Sequence, residues 1–294
     1  MTESGQSNNV GLVAGWGRFP IIVAEHLKAA GYGVVCVGVK GHADPELVKI
    51  CDQFQWFGMG HMGAQLRYFR RHGVSQATMA GKIFKTLLMK RFHLIRHLPD
   101  WQCMKHFYPM YISRKKDRKD DTMLETVTQL FGSGGVDFAP ATDFAPELLV
   151  KAGVLTSRSP SKSQLADIQF AWQLAKAMGG LDVGQSVAVK GRAVLAVEAV
   201  EGTDACIRRA GELCHGNGFV IAKVAKPQQD MRFDVPTVGV STLETMKAAG
   251  ATVLAIEADK TILLDQPAFI AKANELKMVV VADQASVHAL NDAA

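Results

Sequence analysis

Residues 11–20, Gly-Leu-Val-Ala-Gly-Trp-Gly-Arg-Phe-Pro, limit the possible folds more than any other stretch of the chain. An apolar run ends in closely spaced glycines, and Pro20 follows where a helix begins. Its fixed φ suits a first helical turn, and that turn does not need the N–H it lacks. The helix runs to about Ala30, and Gly31 or Gly33 closes it. Gly33–Val39 is then a second apolar strand, and Gln76–Lys82 a third that ends in a glycine turn. Apolar strands alternating with helices point to a parallel α/β layer.

At 294 residues, 48% hydrophobic and 21% charged, the chain has room for two modest domains with ordinary cores. It contains no run of about 18 apolar residues, the length a membrane-spanning helix needs. Residues 1–9 are polar and lack the basic-then-apolar plan of a signal peptide, so a frayed tail is expected. Cys36, Cys51, Cys103, Cys206 and Cys214 are scattered and form no Cys-x-x-Cys pair. That pattern disfavours structural zinc and a disulfide framework, and it suits a cytoplasmic protein.

The segments 132–146 and 156–162 are rich in Gly, Pro and Ser and read as a crossing between domains. The expected division is 1–137 and 138–294, with a linker over about 132–162. In the second half, a helix over about 163–178 is expected, capped by Ser163, with Ile168, Trp172 and Ala175 facing inward. Ser186–Lys190, a Gly191-Arg192 turn and Ala193–Ala199 read as a β-hairpin. Thr203 is the expected cap of a further helix. Ser241-Thr-Leu-Glu244 has the pattern of a capping box for a helix closed by Gly250. Ala251–Glu257 and Met278–Ala282 are apolar strands. The fold class is therefore α/β: an N-terminal Rossmann-like parallel domain followed by a C-terminal mixed α/β domain.

Several constellations can carry chemistry. The turn at Ala14 and Gly15 is placed to cradle a phosphate, because amides at a helix start favour an anion. The turn fits neither the dinucleotide fingerprint nor the Walker loop. Gly81 and Lys82 end another strand, in an open sheet on the same crevice. Lys119-Asp120-Asp121 begins a probable helix. Glu198, Glu201 and Asp204 follow a strand closely, and oxygen donors of this kind suit Mg²⁺. Residues 226–239, Lys-Pro-Gln-Gln-Asp-Met-Arg-Phe-Asp-Val-Pro-Thr-Val-Gly, are too proline-rich for a helix and too charged for a core. They leave the apolar strand Phe219–Val224, and rigid polar loops on strands are where sites are built.

Charge is unevenly distributed. Positions 82–119 carry eleven Lys or Arg against Asp100 and Asp117, a local net charge of +9 in a chain of +5. Aromatic and aliphatic residues interleave with these cations, which suits an anionic membrane surface or an acidic amphiphile, and also a solvated helix over an ordinary core. No nucleic-acid module accompanies the charge, so no nucleic-acid partner is expected. Gly-x-Ser-x-Gly and His-Glu-x-x-His are absent, which removes serine hydrolase and zincin chemistry. Val39-Lys-Gly-His42 stands where a nicotinamide-binding domain has an acidic residue after its second strand, an argument against NAD.

Taken together, these motifs resemble the LpxI family of UDP-2,3-diacylglucosamine pyrophosphatases in bacterial lipid A synthesis. The resemblance rests on residues 11–20, Ala80-Gly81, Lys119-x-Asp121, Leu181-Asp-Val-Gly-Gln185, residues 195–204 and residues 226–239. Trp16 and Arg18 stand where smaller residues are expected. The family implies Mg²⁺-dependent hydrolysis of UDP-2,3-diacylglucosamine to UMP and 2,3-diacylglucosamine 1-phosphate, with the lipid held between two domains. It implies Asp234 as the essential carboxylate. Independently of the family, pyrophosphate hydrolysis must offset charge on both phosphates and orient a water, so Glu201 or Asp204 is expected to join Asp234 in holding Mg²⁺ or orienting the water, with Lys226 and Arg232 stabilising phosphoryl oxygens. Gln185, Gly202, Thr203, Arg209, Lys223, Gln229 and Thr237 complete the candidate substrate contacts. The expected location is cytoplasmic, peripheral to the inner membrane, and a homodimer is compatible with the sequence. The alternative class is a non-catalytic binding protein or sensor for the same nucleotide-sugar lipid.

Overall fold

In a computed structural model, residues 8–83, 97–111, 120–215, 218–233 and 235–283 are described, with the side chains of Met110, Tyr111, Asp120 and Asp121 excepted. The chain divides into two compact units, Met1–Ala145 and Pro146–Ala294. The division falls after Ala145 rather than after 137, because Asp137 and Phe138 pair with the preceding strand.

The first unit runs β1 (Asn9–Ala14), α1 (Phe19–Ala29), β2 (Gly33–Val39), α2 (Leu47–Ile50), β3 (Gln53–Phe57), α3 (Met62–Arg71) and β4 (Gln76–Ala80). It continues with α4 (Trp101–Tyr111), α5 (Asp120–Ser133), β5 (Asp137–Phe138) and α6 (Ala141–Phe144). Its five strands are all parallel, in the order β3-β2-β1-β4-β5. Strand order reverses direction beside β1, and such a switch point opens a crevice at the strand C-termini. Phe69, Phe131 and Leu130 are fully buried against Val35, Val37 and Ala77. Pro20 sits in the second position of α1, with Arg18 as the N-cap.

After a 3₁₀ turn at Pro146–Leu148, the second unit runs β6 (Gly153–Val154), α7 (Lys162–Gly180), β7 (Ser186–Lys190), β8 (Ala193–Val197), α8 (Thr203–Leu213) and β9 (Val220–Lys223). It ends with β10 (Thr237–Val238), α9 (Val240–Ala249), β11 (Val253–Glu257), β12 (Ile262–Leu263), α10 (Gln266–Glu275) and β13 (Val279–Asp283). The main sheet is mixed, in the order β6-β13-β11-β9-β7-β8, with β13, β11 and β9 parallel and β6 and β7 antiparallel to their neighbours. Both faces are covered. Val220 and Ala222 pack with Ile168, Trp172 and Ala175 of α7, while Ile221 packs with α8 and α9 on the other side. This explains why β9 is apolar throughout rather than alternating.

The stretch between about 132 and 162 is not a bare linker, since it holds β5, α6 and β6. Three capping expectations are corrected. Helix α7 is capped by Ser161, whose side chain accepts from the Gln164 amide while Gln164 reaches back to the Ser161 amide. A box starting at Ser163 would place Ala166 three residues on, with no group to reciprocate. The N-cap of α8 is Gly202, and Thr203 is already helical. Helix α9 starts at Val240 straight after β10, with Gly239 as N-cap, so Ser241 lies inside the first turn. Its closure by Gly250 at φ 83° is as expected. The hairpin β7–β8 also forms as expected, with Gly191 and Arg192 both in the left-handed region. Asp167 holds that turn from α7, accepting from the amides of Gly191 at 2.9 Å and Arg192 at 2.6 Å.

Candidate active site

In the first unit the loops after β1 and β4 are joined edge to edge. The Gly15 amide donates to the Ala80 carbonyl at 2.8 Å, and Trp16 and Lys82 exchange both backbone hydrogen bonds at 2.8 and 2.9 Å. Their approach requires glycine on both sides. A Cβ at Gly15 would stand 2.7 Å from the Lys82 carbonyl oxygen, and one at Gly81, whose φ is +91°, would stand 2.8 Å from the Gly15 carbonyl carbon. Ala14 is fully buried beneath this contact, and Lys82 is exposed at its rim. The amides of Gly15 and Trp16 are therefore spent on the neighbouring loop, which fixes the shape of the strand-end crevice. Lys119 lies outside the described residues, as does most of the basic segment. Asp121 lies in α5, but its side chain is not described.

In the second unit the candidates gather at the edge where β9 and β11 end and β7 begins. Ser186 lies opposite Lys223, and the Val224 amide donates to the Gln185 carbonyl. Lys223, 7% exposed, donates from Nζ to the Thr237 carbonyl at 3.0 Å and ties the far end of the 226–239 loop to its start. Thr237 Oγ1 in turn donates to the Val235 carbonyl.

The loop is wired internally. Gln229 accepts from the Lys226 amide through Oε1 and donates through Nε2 to the carbonyls of Asp230 and Phe233. Arg232 grips Asp230 with Nε and Nη2, at 3.0 and 2.6 Å, and its guanidinium lies 5.7 Å from the centre of the Phe233 ring. The Arg232 hydrogen bond to Asp230 holds that carboxyl below its usual range despite partial burial. Phe233 is buried and anchors the segment. Lys226 Nζ forms an ion pair at 2.6 Å with Asp182, just past the end of α7. Asp234 lies outside the described residues, directly after the buried Phe233.

The segment after β8 is equally ordered. Arg209 Nη2 donates to Glu201 Oε1 at 2.8 Å and to the Val197 carbonyl at 2.6 Å. Glu201 Oε2 accepts from the Ala199 amide. Thr203 donates its hydroxyl to Glu198 Oε1 at 2.9 Å, and Asp204 is exposed on α8. Glu198 is buried, and among the described residues its Oε2 has no donor; Gln185 Oε1 is in the same condition. Burial, followed by the charge of Glu198, pushes the Cys206 thiol up to about 11, so it is a packing group rather than a nucleophile.

Among the described residues, no group of three or more His, Cys, Asp or Glu is arranged to hold a metal. Mg²⁺ takes hard oxygen donors and usually keeps substrate phosphates and waters among its ligands. The donors are hard oxygens, and the buried unsatisfied Glu198 Oε2 is a fit for such a cation, whereas both oxygens of Glu201 are engaged. Sequence reasoning did not assign a role to Lys176, Asp182 or Glu257, which hold Ala225 and Lys226 at the entry of the loop. The signal available for Glu257 was its place as the lone charge closing the apolar strand Val-Leu-Ala-Ile-Glu.

No helix among the described residues is long and apolar enough to cross a membrane. Comparison with known proteins agrees with this arrangement along nearly the whole chain. The LpxI N-terminal domain model matches residues 9–148 and the LpxI C-terminal domain model matches residues 151–281. A protein of Caulobacter vibrioides (strain ATCC 19089 / CIP 103742 / CB 15) named UDP-2,3-diacylglucosamine pyrophosphatase LpxI is 32% identical over 281 residues, covering 92% of this chain and 96% of that protein. With both domain models matched in order, and a similar relative covered almost end to end, this chain belongs to the LpxI family.

Proposed function

We propose that this chain hydrolyses the pyrophosphate of UDP-2,3-diacylglucosamine, releasing UMP and 2,3-diacylglucosamine 1-phosphate for lipid A biosynthesis. The observation that carries this reading is kinship through both domains with the Caulobacter protein of that activity. The charged loop 226–239, leaving the C-terminal end of β9, supports it.

Hydrolysis of a pyrophosphate needs negative charge offset on both phosphates and a water held in line with the bond that breaks. In this reading Asp234 orients the water or holds the metal. Lys226 and Arg232 offset phosphoryl charge, each kept in place by its carboxylate partner, Asp182 or Asp230. Mg²⁺, when bound, would polarise the phosphoryl oxygens, held by Asp234 together with carboxylates of 198–204. Within that segment Glu198 has an oxygen with no partner among the described residues, whereas Glu201 would first have to release Arg209. Gly202, Thr203 and Gln185 border the same edge. The new bond joins the water oxygen to one phosphorus as the bridging P–O bond breaks; the water's proton passes to Asp234 where that carboxylate orients the water, and the other phosphate leaves with the bridging oxygen.

The acyl chains demand an apolar, membrane-facing route. Leu98, Trp101, Met104 and Tyr108 are exposed on and beside α4, within the segment of local +9 charge. We place this face against the anionic inner leaflet, because apolar side chains among cations are what such a surface holds. The test of the reaction is UMP release from UDP-2,3-diacylglucosamine with Mg²⁺ and with EDTA. Metal-dependent release supports the hydrolase; tight binding with no release in either condition would leave a binding protein instead.

A further inference from the structure

The entry of the 226–239 loop is set by a buried ion pair that lies outside the loop. Ala225 is two residues past the end of β9 and fully buried. Its amide donates to Glu257 Oε2 at 2.8 Å, and its carbonyl accepts from Lys176 Nζ at 2.9 Å. The two side chains meet at 2.6 Å, with Glu257 2% and Lys176 20% exposed. Both polar groups of one backbone unit are thus taken by a pair of charges rather than by a neighbouring strand. Strand β9 stops there, and the chain is turned out toward the loop.

The next anchors follow on the same side of α7. At Gly179, one turn after Lys176, a Cβ would stand 3.3 Å from the Lys226 Cα, so the helix admits the loop backbone at close range. Asp182, just beyond the helix, takes Lys226 Nζ at 2.6 Å. Positions 176, 179 and 182 thus hold consecutive residues of the loop entry.

A buried ion pair is weak evidence for stability, because desolvation offsets most of the attraction. What this pair supplies is a single geometry for Ala225 and everything after it. We propose that Lys176 and Glu257 are positioning residues, which act on the reaction by fixing where the 226–239 loop leaves the sheet. The proposal rests on the hydrolase reading for its kinetic arm only.

The test compares wild type, Lys176→Met, Glu257→Gln, Glu257→Leu and the Lys176→Met/Glu257→Leu double variant, by amide hydrogen exchange and by steady-state UMP release. The double variant leaves no half of the pair buried alone, so it keeps the test open if a single variant fails to fold. In it, exchange at Ala225 and Lys226 rises at least about tenfold while β9 and β11 stay protected. Its kcat falls at least about tenfold with KM within about threefold, as expected when transition-state contacts are lost and ground-state binding is kept. Glu257→Gln, which keeps an acceptor for the Ala225 amide, recovers most of both. A folded double variant with wild-type exchange at 225–226, or with wild-type kcat, overturns the proposal. If the wild-type protein releases no UMP, the hydrolase reading fails, and the exchange arm still decides the positioning role.

Discussion

The ion pair between Lys226 and Asp182 allows a structural strut to be separated from a group that meets phosphate. The two charges are 2.6 Å apart, with side chains 11% and 24% exposed. At an effective dielectric of about 20 their gross attraction is roughly 6 kcal/mol, and desolvation removes most of it. A net worth of about 1.5–2 kcal/mol remains, the range of a charge-assisted hydrogen bond. Lys226→Met and Asp182→Asn should each lower unfolding free energy by about 1–2 kcal/mol, since Asp182 is wet enough to rehydrate and Asn tolerates its left-handed backbone at φ 57°. The double variant should cost little more than either single one, with a coupling near 1.5 kcal/mol in urea titrations. Activity should divide differently. Lys226→Met should lower kcat/KM by about tenfold to a hundredfold, the worth of one phosphoryl contact, and Asp182→Asn by less than about tenfold. Full kcat/KM in a folded Lys226→Met variant would show that Lys226 is only a strut. A coupling below about 0.5 kcal/mol would show that the worth of this half-buried pair was misjudged.

Other perturbations follow from the same geometry. Asp167→Ala removes the acceptor of two turn amides and should cost about 2–3 kcal/mol in urea unfolding, below the sum of two charge-assisted bonds because the exposed turn can rehydrate. Gly81→Ala should cost at least about 2 kcal/mol and shift the crevice of the first unit, read as a fall in Tm, because its φ of +91° and the nearby Gly15 backbone leave no room for a Cβ. Asp230 has a folded-state pKa below its ordinary value of 3.8, so its contribution is full above that value and is lost as pH falls through the lowered folded pKa. The group is a third exposed, so Asp230→Asn should flatten the acid limb of stability by under about 1 kcal/mol. Cys206, with its thiol at about 11 and almost no exposure, should react with a thiol reagent at pH 8 only after unfolding.

Much of the fold was legible because it is written in local apolar pattern. Strand β2 forms over Gly33–Val39 as read, and Ile168, Trp172 and Ala175 face the core together. The hairpin turn at Gly191-Arg192 was likewise fixed by its residues. Strand β3 was missed: it is the sheet edge, and its Gln53 and Gln55 are exposed beside half-buried Phe54 and Trp56, so its short alternation carries little apolar signal. Caps were misplaced at Ser163, Thr203 and Ser241 because a hydroxyl caps only from the residue just before the first helical one, and each of these helices begins one or two residues earlier than its hydroxyl suggests. The loop 226–239 could be seen as a dense polar segment, but its wiring could not. Lys176, Asp182 and Glu257 lie 49, 44 and 32 residues from the residues they hold at the loop entry, Ala225 and Lys226. Contacts of that range leave no local pattern to read.

The central claim is that a carboxylate of the 226–239 loop is used in cleaving a pyrophosphate. Asp234→Asn changes one oxygen to nitrogen and keeps the size of the side chain. UMP release from UDP-2,3-diacylglucosamine should fall at least about a thousandfold in this variant, with Tm and substrate affinity near those of wild type. Near-wild-type turnover by a folded Asp234→Asn protein would contradict the account.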